Sequence, residues 1–210
     1  MRGYIPKIGL ILLFVIGIMT FGCSHSPPVV KIGLVGPFTG RHRDIGYDVI
    51  YSARLAVREI NESGGIGPYR LALVALDDFG DPELARANAL TLTRDPAVVA
   101  VIGHWLPETT HSALPIYNSA EVPFIDAGEQ PFGYQDPAML PLAFSHDYAE
   151  LTPFDEVAGP YAASGYDAVQ LIMAAMEQVE DERGSIARTT LNDELRNISA
   201  DGLTGRIYQR

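Results

Sequence analysis

The sequence predicts an α/β domain: a parallel sheet flanked by helices on both faces. Three observations predict it. Apolar runs of strand length at residues 29–35, 71–76, 97–102 and 122–125 alternate with runs of helical period. The strand runs are almost continuously apolar, which implies cover on both faces of the sheet. Each ends in a short loop of small and polar residues, and in such sheets ligands bind outside the carboxyl ends of the strands.

The elements follow in order. After the first strand, Gly36-Pro37-Phe38-Thr39-Gly40 forms a turn-rich loop. From Gly46 onward, Val49, Ile50, Ala53, Val57 and Ile60 recur at helical spacing, with Arg54, Arg58, Glu59 and Glu62 on the opposite face. Gly64-Gly65 stops that helix. The second strand closes on Asp77-Asp78. Asp81 then serves as an N-cap, with Pro82 in the first helical position and Glu83 in the first turn, and the helix runs to about Arg94. Asp95-Pro96 turns the chain into the third strand. A helix over 107–119 leads to the fourth strand. Consecutive βαβ crossovers of this kind are right-handed.

Beyond Gly128 the pattern changes. Residues 131–159 hold four prolines and no clear period, so they are expected to be irregular. Order returns at Pro160: Gly165, Ala168, Val169, Ile172, Met176 and Val179 line one face of a long helix. A second helix over 186–198 carries Leu191, Leu195 and Ile198. Gly202-Leu203-Thr204-Gly205 then leads into a strand-like Arg206-Ile207-Tyr208.

Composition narrows the function classes. The 210 residues are 47% apolar and 20% charged, a balance that suits a folded domain and excludes wholesale disorder. The formal charge is −11, and residues 1–22 contribute Arg2 and Lys7 but no acid, so the remainder is more acidic still. Such a surface disfavours nucleic acid and anionic membrane as electrostatic partners. At the N-terminus, Arg2 and Lys7 flank an apolar run over 8–19, too short to span a bilayer but suited to an export signal. Gly22 directly before the only cysteine resembles a bacterial lipobox, which implies lipidation of Cys23. A lone cysteine allows no intrachain disulfide. The polar stretch 24–28 reads as a tether.

Motifs for catalysis are missing. The 36–40 loop lacks the Lys-Ser/Thr of a P-loop and the spacing of GxGxxG, so its glycines read as a tight strand-to-helix turn. Asp77 and Asp78 could serve a metal or acid–base chemistry, but their setting before Asp81-Pro82-Glu83 favours a strand end and helix cap. His25, His42, His104, His111 and His146 form no HExxH-type pair, and no GxSxG elbow occurs. No catalytic residue, metal or cofactor is therefore assigned. The stretch Gly103-His104-Trp105-Leu106-Pro107-Glu108-Thr109-Thr110 stands out, because it follows a buried strand and opens a helix. Free N–H groups there suit a carboxylate, Thr109 and Thr110 add hydroxyls, and Trp105 could supply an apolar wall. Glu108 reads either as a first-turn acid or as a partner for a ligand's positive group.

As an ordered set, KIGLVGPFTG, REINESGGIG, LDDFGDP, AVIGH and VPFIDAG resemble the type I periplasmic binding proteins of the leucine/isoleucine/valine-binding group. These are substrate-binding subunits of ABC importers, often lipoproteins. The resemblance covers residues 30–130; a weaker one, on Gly165-Tyr166-Asp167-Ala168 and Gly202-Leu203-Thr204-Gly205, covers 160–208. It implies two lobes closing on a ligand, with lobe 1 built from an early and a late piece of chain. The organisation expected is a signal peptide over 1–22, a tether over 23–28, and the first segment of lobe 1 over 29–130. An irregular remnant at 131–159 then stands in place of lobe 2 (about 100–150 residues in a typical domain). The second segment of lobe 1 follows over 160–210, with its final strands missing.

The resemblance also implies a crevice lined by Ile45, Trp105, Pro107, Glu108, Thr109, Gly128 and Gln130. Pro107 aligns with the serine that receives the ligand carboxylate, although it has neither hydroxyl nor N–H. The function expected is a lipid-anchored solute-binding protein of an ABC importer for amino acids or related small polar molecules, exported to the periplasmic or extracellular side of a bacterial membrane. Its partners would be the small polar ligand, the importer's membrane subunits and, through the anchor, the membrane. The alternative is an envelope protein–protein interaction module without a transport role.

Overall fold

A computed structural model describes residues 26–129, 131–203 and 205–208. The signal segment, Cys23 and Gln130 lie outside the described residues, as does Thr204. Four strands, β1 (Val29–Gly36), β2 (Arg70–Asp77), β3 (Val98–Gly103) and β4 (Phe124–Asp126), form one sheet in the order β2-β1-β3-β4. Every pairing is parallel. The register sets Gly36 beside Asp77 and Gly103 beside Asp126, which gathers the four strand-end loops along one edge.

Helices fill both faces, as the continuous apolar strands require. Alternate residues Ile32 and Leu34 of β1 face a cluster with Val49, Ala53 and Ile60 of α1 (Arg43–Glu62) and Ala168 and Ile172 of α5 (Ala162–Arg183). On the other face, Val35 and Val101 meet Ala85, Ala89 and Leu92 of α2 (Pro82–Arg94) and Ala113 and Tyr117 of α3 (Pro107–Ser119). The local rules hold at the ends. Asp81 accepts from the N–H groups of Glu83 and Leu84, and Gly184 terminates α5 in the left-handed region, which glycine enters without cost.

Two stretches differ from expectation. Residues 131–159 hold a 3-10 turn at Pro137–Met139 and a ten-residue helix, α4 (Leu142–Leu151). Phe144, Tyr148 and Leu151 do follow a helical period, but Leu142 faces solvent and prolines crowd both ends, so the pattern is weak. Phe144 and Tyr148 are buried against Leu55 of α1 and Ala162 and Ala163 of α5. The second late helix, α6 (Arg188–Leu195), is shorter than expected. Residues 199–202 leave it to form β5 (Ser199–Gly202), which pairs antiparallel with β6 (Gly205–Tyr208).

The early and late pieces of chain are stitched together by polar contacts as well as by packing. The Arg188 guanidinium donates to three carbonyls at the α2–β3 turn, of Val98 (2.9 Å), Thr93 (3.2 Å) and Asp95 (2.7 Å). Asp167 of α5 accepts from the N–H of Leu203 at 2.9 Å and so seats the hairpin.

Candidate functional site

The carboxyl edge of the sheet is organised by two adjacent aspartates, Asp77 at the end of β2 and Asp78 just after it. Asp77 accepts from the N–H groups of Phe38 (3.0 Å), Thr39 (3.4 Å) and Phe79 (2.8 Å), and from the Thr39 hydroxyl, which fixes the loop after β1. Asp78 is fully buried. It meets Nδ1 of His104 at 2.8 Å and accepts from the Gly80 N–H, while Nε2 of His104 lies 3.1 Å from the Tyr117 hydroxyl. Because β1 lies between β2 and β3, this chain of contacts runs across its carboxyl end. Burial, with the Asp78 charge nearby, pushes the Tyr117 hydroxyl well above its usual range.

Trp105 is the next layer. Its φ is 71°, its side chain is buried, and the indole N–H donates to the Ser164 hydroxyl of α5 at 2.9 Å, which donates in turn to the Ala127 carbonyl at 2.8 Å. A β-carbon on Gly36 would lie 3.0 Å from the indole, and one on Gly128 only 2.7 Å from the Trp105 carbonyl oxygen. At Gly128 any side chain would collide with the Trp105 main chain, and at Gly36 one would crowd the ring. Trp105 thus occupies the space between the ends of β1 and β4.

The other residues expected to line a crevice are dispersed. Ile45 is buried in the α1 face of the core. Pro107 holds the first position of α3, where its missing N–H costs nothing, and is exposed, as is Glu108 in the first turn. Thr109 is buried and donates to the Leu106 carbonyl at 2.9 Å. Gly128 is half-buried, its N–H given to Asp126 at 3.1 Å. None of these, nor Trp105, lines either of two cavities.

The first cavity, of about 940 Å³, opens beside the carboxyl end of β1. Its walls are the β1–α1 loop with the first turn of α1 (Phe38, Thr39, Arg43, Asp44, Tyr47, Asp48) and the chain entering α5 (Phe154, Glu156, Gly159, Tyr161). Asp48 is nine-tenths buried, and main-chain N–H groups of Gly159 and Tyr161 hold its carboxylate, the latter at 3.1 Å. Burial raises it to about 6, against those two donors. The second cavity, of about 660 Å³, runs beside β4 and is lined by Thr110, Phe124, Asp126, Glu129, Phe132 and Arg196, among others. Burial pushes the Asp126 carboxyl up, Glu129 adding to it, and the buried Thr110 hydroxyl has no hydrogen-bond partner.

Sequence reading misses the first cavity. One signal was available: Asp48 lies on the inward stripe of α1, among Ile45, Val49 and Ala53, where a carboxylate is out of place. Glu156, Gly159 and Tyr161 offer none, because they stand beyond a stretch without period. One further group of donors, His146, Asp147 and Glu150, converges on the exposed face of α4. Its histidine already lies 3.3 Å from Asp147 and 3.8 Å from Glu150, an ordinary solvated helix face to which we assign no metal.

Residues 29–152 match the family model described as "Periplasmic binding protein". Over 120 residues the chain is 32% identical to an amino acid binding protein of Pseudomonas aeruginosa, covering 57% of this chain and 32% of the relative. Over 99 residues it is 34% identical to the leucine-, isoleucine-, valine-, threonine- and alanine-binding protein of the same organism, covering 47% and 26%. The aligned part is thus about a third or less of the length of these two relatives. Among solved structures, the branched-chain amino acid transporter substrate binding protein of Streptococcus pneumoniae in complex with isoleucine aligns with a TM-score of 0.71 at 15% identity, covering 86% of this chain and 91% of that one. A solute binding protein of an ABC transporter from Rhodopseudomonas palustris, in complex with 3,4-dihydroxy benzoic acid, aligns at 0.69 with 12% identity, covering 86% and 88%. Similarity at that identity speaks for the fold.

Proposed function

Because the chain belongs to the periplasmic binding protein family, we propose that it is the solute-binding component of an ABC importer, taking an amino acid or a related small polar molecule at the carboxyl edge of its sheet. The observation that carries this is the open 940 Å³ cavity at the end of β1, the edge where parallel sheets place their ligands. The family is one of binding proteins, in agreement with a sequence that offers no nucleophile or metal pattern. Lipidation at Cys23 would hold the exported protein on the membrane beside the importer subunits.

In this reading residues 131–159 stand where a second lobe would be inserted, and the ligand is gripped from one side. One-sided burial gives weak affinity, with Kd in the millimolar range, about −4 kcal/mol. Isothermal titration of the full chain with amino acids, amides and organic acids tests it. Saturable millimolar binding is the expected outcome, a micromolar Kd overturns the single-lobe grip, and no binding to any of them overturns the solute-binding reading.

A second reading, an envelope interaction module, rests on one observation. Met139, Leu142, Phe154 and Val157 of the 131–159 segment are largely exposed, Leu142 at 89% and Val157 at 87%. Exposed apolar groups concentrated in one segment suit a protein interface. Sedimentation velocity over a hundredfold concentration range separates the two, since a monomer throughout removes the self-association form of this reading.

A further inference from the structure

We propose that the cavity at the end of β1 selects small organic cations: ammonium, guanidinium or quaternary amine groups carried on a compact apolar body. The inference rests on the solute-binding reading above and names the ligand class for its cavity. Three carboxylates, Asp44, Asp48 and Glu156, line the cavity against one guanidinium, Arg43. Among the described residues none of these three acids has an ion-pair partner, although other acids of the chain do.

Asp48 is the decisive group. It is nine-tenths buried, lines the cavity, and is held in place by main-chain donors that orient its carboxylate without cancelling its charge. A buried carboxylate with no counter-charge is costly. The protein relieves that cost in part by taking up a proton, since burial raises Asp48 to about 6. A cation entering the cavity would relieve it fully.

The remaining walls suit the same class. Phe38, Tyr47, Phe154 and Tyr161 bring aromatic rings to the cavity, and aromatic faces attract ammonium and guanidinium groups through their quadrupoles. An anionic solute meets three like charges there, and a neutral one leaves Asp48 uncompensated.

Equilibrium titration of the full chain with choline, agmatine, isoleucine and acetate tests the proposal. Choline and agmatine are expected to bind about tenfold or more tightly than isoleucine, and acetate not to bind. Asp48→Asn is expected to weaken cation binding about tenfold or more. Because that variant could perturb the fold, Phe154→Ala serves beside it: the ring is 81% exposed, so its loss leaves the core intact. It should weaken choline about threefold to fivefold. Isoleucine or acetate binding as well as the cations, or Phe154→Ala leaving choline unaffected, overturns the cation class while the solute-binding reading stands. Binding of none of the four overturns the proposal, and failure of the wider amino-acid, amide and organic-acid series as well overturns the solute-binding reading.

Discussion

Three buried aspartates show how a single residue is governed by what surrounds it. Asp167 is raised to about 6 because burial penalises its charge and only the Leu203 N–H opposes this. Its ordinary value is 3.8, so between that and 6 the folded chain holds a proton that the unfolded chain has released. Stability from this group is therefore greatest at low pH and falls as pH rises through about 6, by about 2–3 kcal/mol in all. Asp48 acts with the same sign. Asp167→Asn keeps an acceptor for Leu203 and removes the penalty, so its thermal midpoint at pH 7.5 should exceed the parent's by about 5 °C, with a shallower dependence between pH 4 and 7. Asp78 is also buried but meets His104, 26 residues away. Removing the imidazole strands a buried carboxylate, and His104→Ala is expected to cost about 3–5 kcal/mol in urea titrations. In the sequence Asp78 reads as a strand end and His104 as one scattered histidine among five. Only their places directly after β2 and β3, the strands either side of β1, make them neighbours.

Elements followed the sequence wherever one local signal was strong. Asp81-Pro82-Glu83 starts α2 because a cap, a fixed φ and a first-turn acid all act within four residues. The helix α4 was hidden because its period is short and weak, and its stability comes from burying Phe144 and Tyr148 against α1 and α5, a contact that no local pattern records. Junctions between elements were hidden for the same reason. Arg188 lies at the start of α6, yet it forks across three main-chain carbonyls some 90 residues earlier in the chain, and burial pulls it below its ordinary range. Arg188→Ala should lower stability by about 2–3 kcal/mol, and Arg188→Lys should restore little of it, since an ammonium cannot span the fork. Chemical denaturation of both variants checks this. A full rescue by lysine would mean that charge, rather than the fork, matters there.

For the whole molecule, the parallel sheet and the edge that gathers its strand-end loops were determined by the sequence, because strand-length apolar runs and helical periods are written in neighbouring residues. The export signal expected at the N-terminus is likewise a local pattern. If Cys23 carries the lipid, Cys23→Ser should abolish incorporation of labelled fatty acid and release the chain from membranes, and labelling that persists in the variant would remove the anchor. Tertiary structure alone decided which residues meet at the edge. Ile45 and Trp105, expected beside a ligand, are claimed by the core, Trp105 being drawn to Ser164 of a helix 59 residues later. The cavity lies instead between the first strand's loop and the chain entering α5, joined by a contact between Asp48 and Tyr161 across 113 residues. Pairings over such separations depend on how the layers pack, and packing is a property of the assembled sheet and helices that no window of sequence contains.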